Sequence, residues 1–172
     1  MSILMRFSSL ITVMFLAAII NGCGSVQHKI DLKQGYAPQI GTTVQVGAVT
    51  NQTGQKFEVD VEKMFSDALV DKLSKENLLS AGGNSPLLLL NSKIVEYEPG
   101  NAFKRWLLPG WGSTILTVQC DLKDGGNLVG SVDARRTVSV GGGYSIGAWR
   151  TIFSSLAEDI VDELKSKISN KK

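Results

Sequence analysis

Gly143-Tyr144-Ser145-Ile146-Gly147 matches G-x-S-x-G between a strand pattern and a helix pattern, where a hydrolase carries its nucleophile. A serine hydroxyl there needs a base to take its proton, usually a histidine later in the chain. No histidine follows Ser145, and the single histidine, His28, lies near the other end of the sequence. The motif therefore reads as a glycine-rich turn with Ser145 near a helix start. The spacing of Gly141, Gly143 and Gly147 fits no dinucleotide loop, and the sequence holds no G-x-x-x-x-G-K-[ST] phosphate loop. Glu96 and Glu98 lie two apart on a strand pattern and so share a face, but such a pair usually stays solvated. Cys120 falls on an apolar strand face, where a free cysteine packs as a small hydrophobe. One His and two Cys leave almost no donor set for a metal or for histidine catalysis. The expectation is a protein that is not an enzyme, with no catalytic residue, no metal and no cofactor. With 18 Lys plus Arg against 16 Asp plus Glu, a net charge of +2 supports no nucleic-acid partner.

The residue with the clearest chemistry is Cys23. Arg6 is the only charge before the apolar run Leu10–Ile20, broken only by Thr12. At a 1.5 Å rise this run spans about 16 Å, half of a bilayer core of roughly 30 Å. It is too short for an ordinary membrane span and suits a secretory signal. It ends Ile20-Asn21-Gly22-Cys23, which resembles a bacterial lipobox, although Asn21 departs from the usual small or aliphatic residue. The resemblance implies diacylation of Cys23 (the palmitate and diacylglycerol of a lipoprotein) and cleavage before it. Gly24 stands where an inner-membrane retention Asp would sit, which favours the outer membrane, facing the periplasm. Two or three acyl chains anchor firmly where one is marginal. Cys120 then has no intramolecular disulfide partner.

The sequence divides into a signal peptide at 1–22, a lipidated tether at 23–41 and one domain at 42–172. The tether, read as extended, reaches about 60 Å, so the domain need not touch the bilayer. His28 lies on it and reads as solvated. The domain opens with alternation over Thr42–Thr50, a strand period. Phe57, Val61, Met64, Phe65, Ala68, Leu69 and Leu73 then recur at helical steps, and the helix should stop near Leu79. Strands follow at Pro86–Glu98, Ser113–Lys123 and Leu128–Val140, the last two joined by a hairpin turn at Asp124-Gly125-Gly126-Asn127. Arg136 interrupts the apolar face of the last strand, which suggests a bulge or strand end there. Trp149 to Ile168 carries a second helical stripe. The expected fold is an α+β two-layer sandwich in the order β-α-β-β-β-α, with a four-stranded, mainly antiparallel sheet and two helices on one face.

Between the second and third of these strands lies the segment 101–112, with Lys104, Arg105, Trp106, Leu107, Leu108 and Trp111. Two readings compete. Its aromatics complete the core over a sheet end, or they project as anchors for a protein partner or the membrane interface. The tendency of a small domain to bury tryptophan favours the first. If the protein has a partner-binding site, these six residues are the candidates for it.

The basic-aromatic Lys104-Arg105-Trp106, the turn Gly110-Trp111-Gly112, the hairpin at Asp124-Gly125-Gly126, the exit Gly141–Gly143 and the C-terminal helix resemble the bacterial lipoproteins of unknown-function family 4410 (DUF4410). Trp111 and Pro109 are bulkier than that family's turn implies. The likeness implies location and fold, not chemistry. The element order is similar to lipoprotein domains that assist lipopolysaccharide assembly, curli secretion and cell-wall synthases, and a shared fold transfers no role. The expected function is that of an outer-membrane lipoprotein whose non-catalytic domain is a binding or assembly accessory of an envelope complex. The alternatives are a binder of small amphiphiles or lipopolysaccharide and, more remotely, a hydrolase using Ser145. The envelope protein partner and the oligomeric state are left open.

Overall fold

A computed structural model of the chain describes residues 25–82, 86–108, 111–139 and 146–169. The elements run β1 (Val26–Leu32), β2 (Thr43–Asn51), α1 (Val61–Lys75), β3 (Leu87–Glu98), α2 (Ala102–Leu107), β4 (Thr114–Asp124), β5 (Asn127–Val138) and α3 (Ala148–Ser169). They form an α+β domain with one five-stranded sheet in the order β1-β5-β4-β3-β2. The sheet is mixed: β2 and β3 are parallel and the other neighbours antiparallel.

The central strands follow from alternation. Leu116, Val118, Cys120 and Leu122 of β4 face the helices and are buried, as are Leu88, Leu90 and Ile94 of β3 and Val132 and Ala134 of β5. Lys93 and Asp121 face the other way and pair at 3.0 Å on an open polar sheet face. The hairpin forms as expected: Gly125 and Gly126 take φ of +54° and +87° with Asp124 opposite Asn127. On the helix side, Phe65, Leu69 and Leu73 of α1 and Ile152, Phe153, Leu156 and Ile160 of α3 pack into the core. Each such side chain is worth about 1.5–3 kcal/mol of transfer free energy. Outward charges tie the two helices together, Lys72 to Glu158 at 2.7 Å and Lys165 to Glu76 at 2.5 Å.

Four expectations need correction. The four-stranded sheet has a fifth strand, because Val26–Leu32, read as tether, pairs along its whole length with β5. Only Ile30 of β1 is buried, so the strand carries no alternation to betray it. The sheet is mixed because α1 carries the chain back to start β3 parallel to β2. α1 is shorter than the apolar period implied. Asp60 caps it, its Oδ1 accepting from the Lys63 amide at 2.8 Å, and Phe57 packs edge-on to Tyr97 at 5.0 Å instead of joining the helix. After α1, Asn77 turns the chain at φ +55° and Leu79 bridges to Val44. Finally, the irregularity of β5 is not at Arg136. The register shifts between Leu122 and Lys123, and Arg136 stays in register with Leu116. Its guanidinium meets Asp159 of α3 at 2.6 Å, so a cation sits on the helix side without breaking the strand.

Candidate functional site

The segment between β3 and β4 contains α2, a third helix too short to show a period. Asn101 caps it, its side chain accepting from the Lys104 amide, and its own amide donates to Gly112 O at 2.8 Å. Leu108 ends it in an extended conformation, as suits a residue that precedes a proline. Gly100 and Gly112 flank the helix at φ of +70° and +71°. A Cβ on Gly112 would stand 2.8 Å from the Lys104 Cβ, and one on Gly100 would stand 2.6 Å from the Ser113 carbonyl. Both positions demand glycine for space and for conformation.

Arg105 and Trp106 exchange the places their chemistry suggests. Arg105 is 3% exposed and Trp106 is 69% exposed. The Arg105 Nη1 donates to Gly112 O and to Thr114 Oγ1, both at 2.8 Å, and the Thr114 hydroxyl donates to Pro99 O at 2.9 Å. Burial pulls the pKa of the guanidinium down. Arg105 is thus the bracket that fixes α2 on the end of the β3–β4 pair. Around it the apolar side chains point outward: Phe103, Trp106, Leu107, Leu108 and Trp111 are all exposed. Phe103 and Trp106 stack with ring centroids 6.2 Å apart, and Lys104 Nζ lies 5.5 Å from the Trp111 ring centroid. The favoured expectation, that these aromatics complete the core, is overturned. Of the six candidate residues, Lys104, Trp106, Leu107, Leu108 and Trp111 form one surface, and Arg105 lies beneath it.

Beside this surface, Lys56, Phe57, Glu58, Val59, Tyr97, Pro99 and Trp149 line an apolar hollow of about 410 Å³. Tyr97 donates its hydroxyl to Trp149 O at 2.9 Å, and burial pushes its pKa up to about 12. Arg150 lies 4.9 Å from the Trp149 ring centroid.

The residues considered for chemistry are dispersed. His28 is not on a solvated tether but on β1, its Nε2 3.2 Å from Glu163 Oε2, while Glu163 Oε1 accepts from the Ile30 amide on the outer edge of β1. Glu96 is bound by Arg135 and accepts from the Thr117 hydroxyl at 2.7 Å, so the Glu96 and Glu98 pair is not a free carboxylate pair. Cys120 is buried with its Sγ 3.2 Å from Ser92 Oγ, and desolvation pushes the thiol pKa up to about 12. Ser145 and Cys23 lie outside the described residues. Among the described residues no cluster of three or more His, Cys, Asp or Glu could hold a metal, and no helix is long and apolar enough to cross a membrane. The exposed surface on α2 is what single-sequence reasoning could name but not place. The signal for burying Arg105, a positive-φ glycine on each side of a basic-aromatic triplet, shows only once the fold is known.

Solved structures of PelC share the fold. The PelC dodecamer from Paraburkholderia phytofirmans is 15% identical, with a TM-score of 0.56 over 86% of this chain and 100% of that chain. A point variant of PelC, also a dodecamer, is 19% identical with a TM-score of 0.55 over 82% of this chain and 96% of that one. A DUF330 protein from Xanthomonas campestris is 13% identical with a TM-score of 0.46, over 78% and 95% of the two chains. No curated protein sequence matches the chain. The model of a domain of unknown function, DUF4410, matches residues 30–142, well over half of the sequence, and the chain belongs to that family.

Proposed function

We propose that the protein is an outer-membrane lipoprotein, anchored through Cys23 and facing the periplasm, whose domain is a non-catalytic accessory of an envelope assembly. The observation that carries this reading is the outward apolar surface of α2, braced from below by a buried arginine. A protein gains nothing from holding two tryptophans rigidly in water unless something covers them. The lipobox-like ending at Cys23 supports anchoring. The mechanism is positional: the lipid confines the domain to the membrane surface and so raises its effective concentration for partners there. The domain offers the α2 surface and the open polar sheet face as contact areas. Self-assembly is one form the role can take, since the PelC neighbours are dodecamers.

The test is mild-detergent extraction of the full-length protein from its own envelope, with Trp106→Ala/Trp111→Ala alongside. A stoichiometric complex with the wild type supports the accessory role. Its loss from the folded, lipidated double variant assigns the contact to α2, and its retention moves the contact to another face. Only monomer in both samples counts against the role. A second reading, a binder of small amphiphiles, is favoured by the 410 Å³ apolar hollow beside Tyr97 and Trp149. Extracted lipid or glycolipid found by mass spectrometry in the purified protein, and lost in Tyr97→Trp, would select it.

A further inference from the structure

The strand β1 changes where a lipid on Cys23 would place the domain. Ser25 is already tied to the sheet, its carbonyl accepting from the Thr137 amide at 3.0 Å. Only Gly24 separates it from Cys23, so the leash spans at most about 7 Å. The expected 60 Å reach is gone.

The leash starts at the α2 end of the sheet. Thr137 is in register with Ile115, the neighbour of Thr114, whose hydroxyl anchors Arg105 under α2. Ser25 is therefore level with the base of α2 and separated from β4 only by β5, a lateral distance of about 10 Å at ordinary strand spacing. The same end carries the start of α3, because Trp149 O bonds the hydroxyl of Tyr97, whose register partner is Leu116. Ile146, just before that helix, is exposed as well.

A leash of about 7 Å is no longer than the headgroup layer of one leaflet, and amphipathic surfaces seat about 5–10 Å into that layer. A lipid at Cys23 therefore leaves this end of the sheet nowhere to go but the membrane surface. Resting on the lipidation reading above, we infer that the α2 surface, with Phe103, Trp106, Leu107, Leu108 and Trp111, is a second membrane contact that docks into the phospholipid headgroup region beside the lipid anchor. The composition fits such a layer: tryptophans with an apolar body and a polar N–H, and a cation, Lys104, over the Trp111 ring. The strands then stand away from the bilayer, and the polar sheet face with Lys93, Asp121, Glu96 and Arg135 is left for a protein partner.

The experiment reconstitutes the full-length lipidated protein into vesicles of phosphatidylethanolamine and phosphatidylglycerol. Trp111→Phe/Trp149→Phe leaves Trp106 as the reporter, and Trp106→Phe/Trp111→Phe leaves Trp149 as the half-buried control. Lipids brominated near the headgroup and aqueous iodide are the two quenchers. The inference expects Trp106 emission to shift to the blue, to be quenched by the brominated lipid, and to lose several-fold of its iodide quenching on reconstitution, with Trp149 changing far less. Trp106 still open to iodide in vesicle-bound protein overturns it. Trp106 shielded from both quenchers also overturns it, in favour of a protein cover. The mass of the mature protein tests the underlying reading separately: without acyl mass on Cys23, the anchoring proposal fails and takes this inference with it. Acyl mass with an iodide-exposed Trp106 defeats the inference alone.

Discussion

The two long helices and the short one solve opposite problems with the same residue types. α1 and α3 turn leucine, isoleucine and phenylalanine inward and carry their lysines and carboxylates outward, where Lys63 pairs with Asp67 and Asp71 with Lys75. α2 turns its one buried side chain, an arginine, inward and its phenylalanine, tryptophan and leucines outward. The long helices are held by apolar area. The short one is held by directional bonds from a cation to a carbonyl and a hydroxyl, with a cap at its start and a glycine at each flank. A helix that needs no apolar face for its own attachment has that face free for a second body. The inversion leaves the hydrophobic groups outward, where a loop folded over a core would show the reverse.

Truncating the packed side should cost most. Phe153→Ala removes a buried ring that also touches Tyr97, 5.1 Å away between centroids, and should lower unfolding free energy by about 3–5 kcal/mol in urea titration. Arg105→Ala should cost about 1.5–3 kcal/mol, because charge-assisted bonds vanish and Gly112 O and Thr114 Oγ1 lose a buried donor. If Arg105→Ala is silent, α2 is not bracketed from below and the contrast between the two kinds of helix collapses.

This contrast also explains what could be read in advance. β4, β5 and their hairpin were legible because one face is buried and the period is strict, and the α3 stripe from Trp149 to Ile168 lies on the observed helix. β1 was not, since an edge strand with Ile30 as its only buried side chain leaves no period, and the Ile30 amide on its outer edge donates to Glu163, more than 130 residues away. α2 spans too few residues for a period. The composition of 101–112 marked it as unusual, but the inversion depends on Gly100 and Gly112 bringing the Gly112 carbonyl and the Thr114 hydroxyl onto one guanidinium. Arg136, read as a break, is neutralised by Asp159 instead, a pairing across elements that no local pattern encodes.

Glycine substitutions sharpen the comparison at the flanks of α2. Gly112→Ala should cost about 1–3 kcal/mol, since it combines a positive φ with a Cβ 3.0 Å from the Asn101 carbonyl. Gly54→Ala has a similar φ of +76° but open space, so it should cost only about 1–2 kcal/mol. Equal losses would mean that the crowding around α2 is relieved easily.

Alkali tests the packed side by its charge. Burial holds the Cys120 thiol up to about 12, from an ordinary 9.0. A raised folded pKa means that the folded state keeps the proton longer than the unfolded chain. This contribution is complete below pH 9 and drains as pH climbs towards 12. Tyr36 and Tyr97, also raised to about 12, add in the same direction from pH 10 upward. Denaturation midpoints should fall above pH 9, less steeply in Cys120→Ala, and Cys120 should react with a maleimide only as fast as the protein unfolds.

The smallest expected change is the one that defines the α2 surface. Trp106→Gln removes a large apolar side chain, yet the ring is mostly in water and stacks on Phe103, itself exposed. An exposed position away from caps, cavities and buried polar groups should move stability by no more than about 0.5 kcal/mol. Solubility without lipid should rise, because the apolar patch shrinks. A loss as large as that of Phe153→Ala would place Trp106 in the core of the folded protein. With Arg105 buried beneath it, a near-zero loss leaves the tryptophan with no structural reason to be there, and its reason must lie outside the domain.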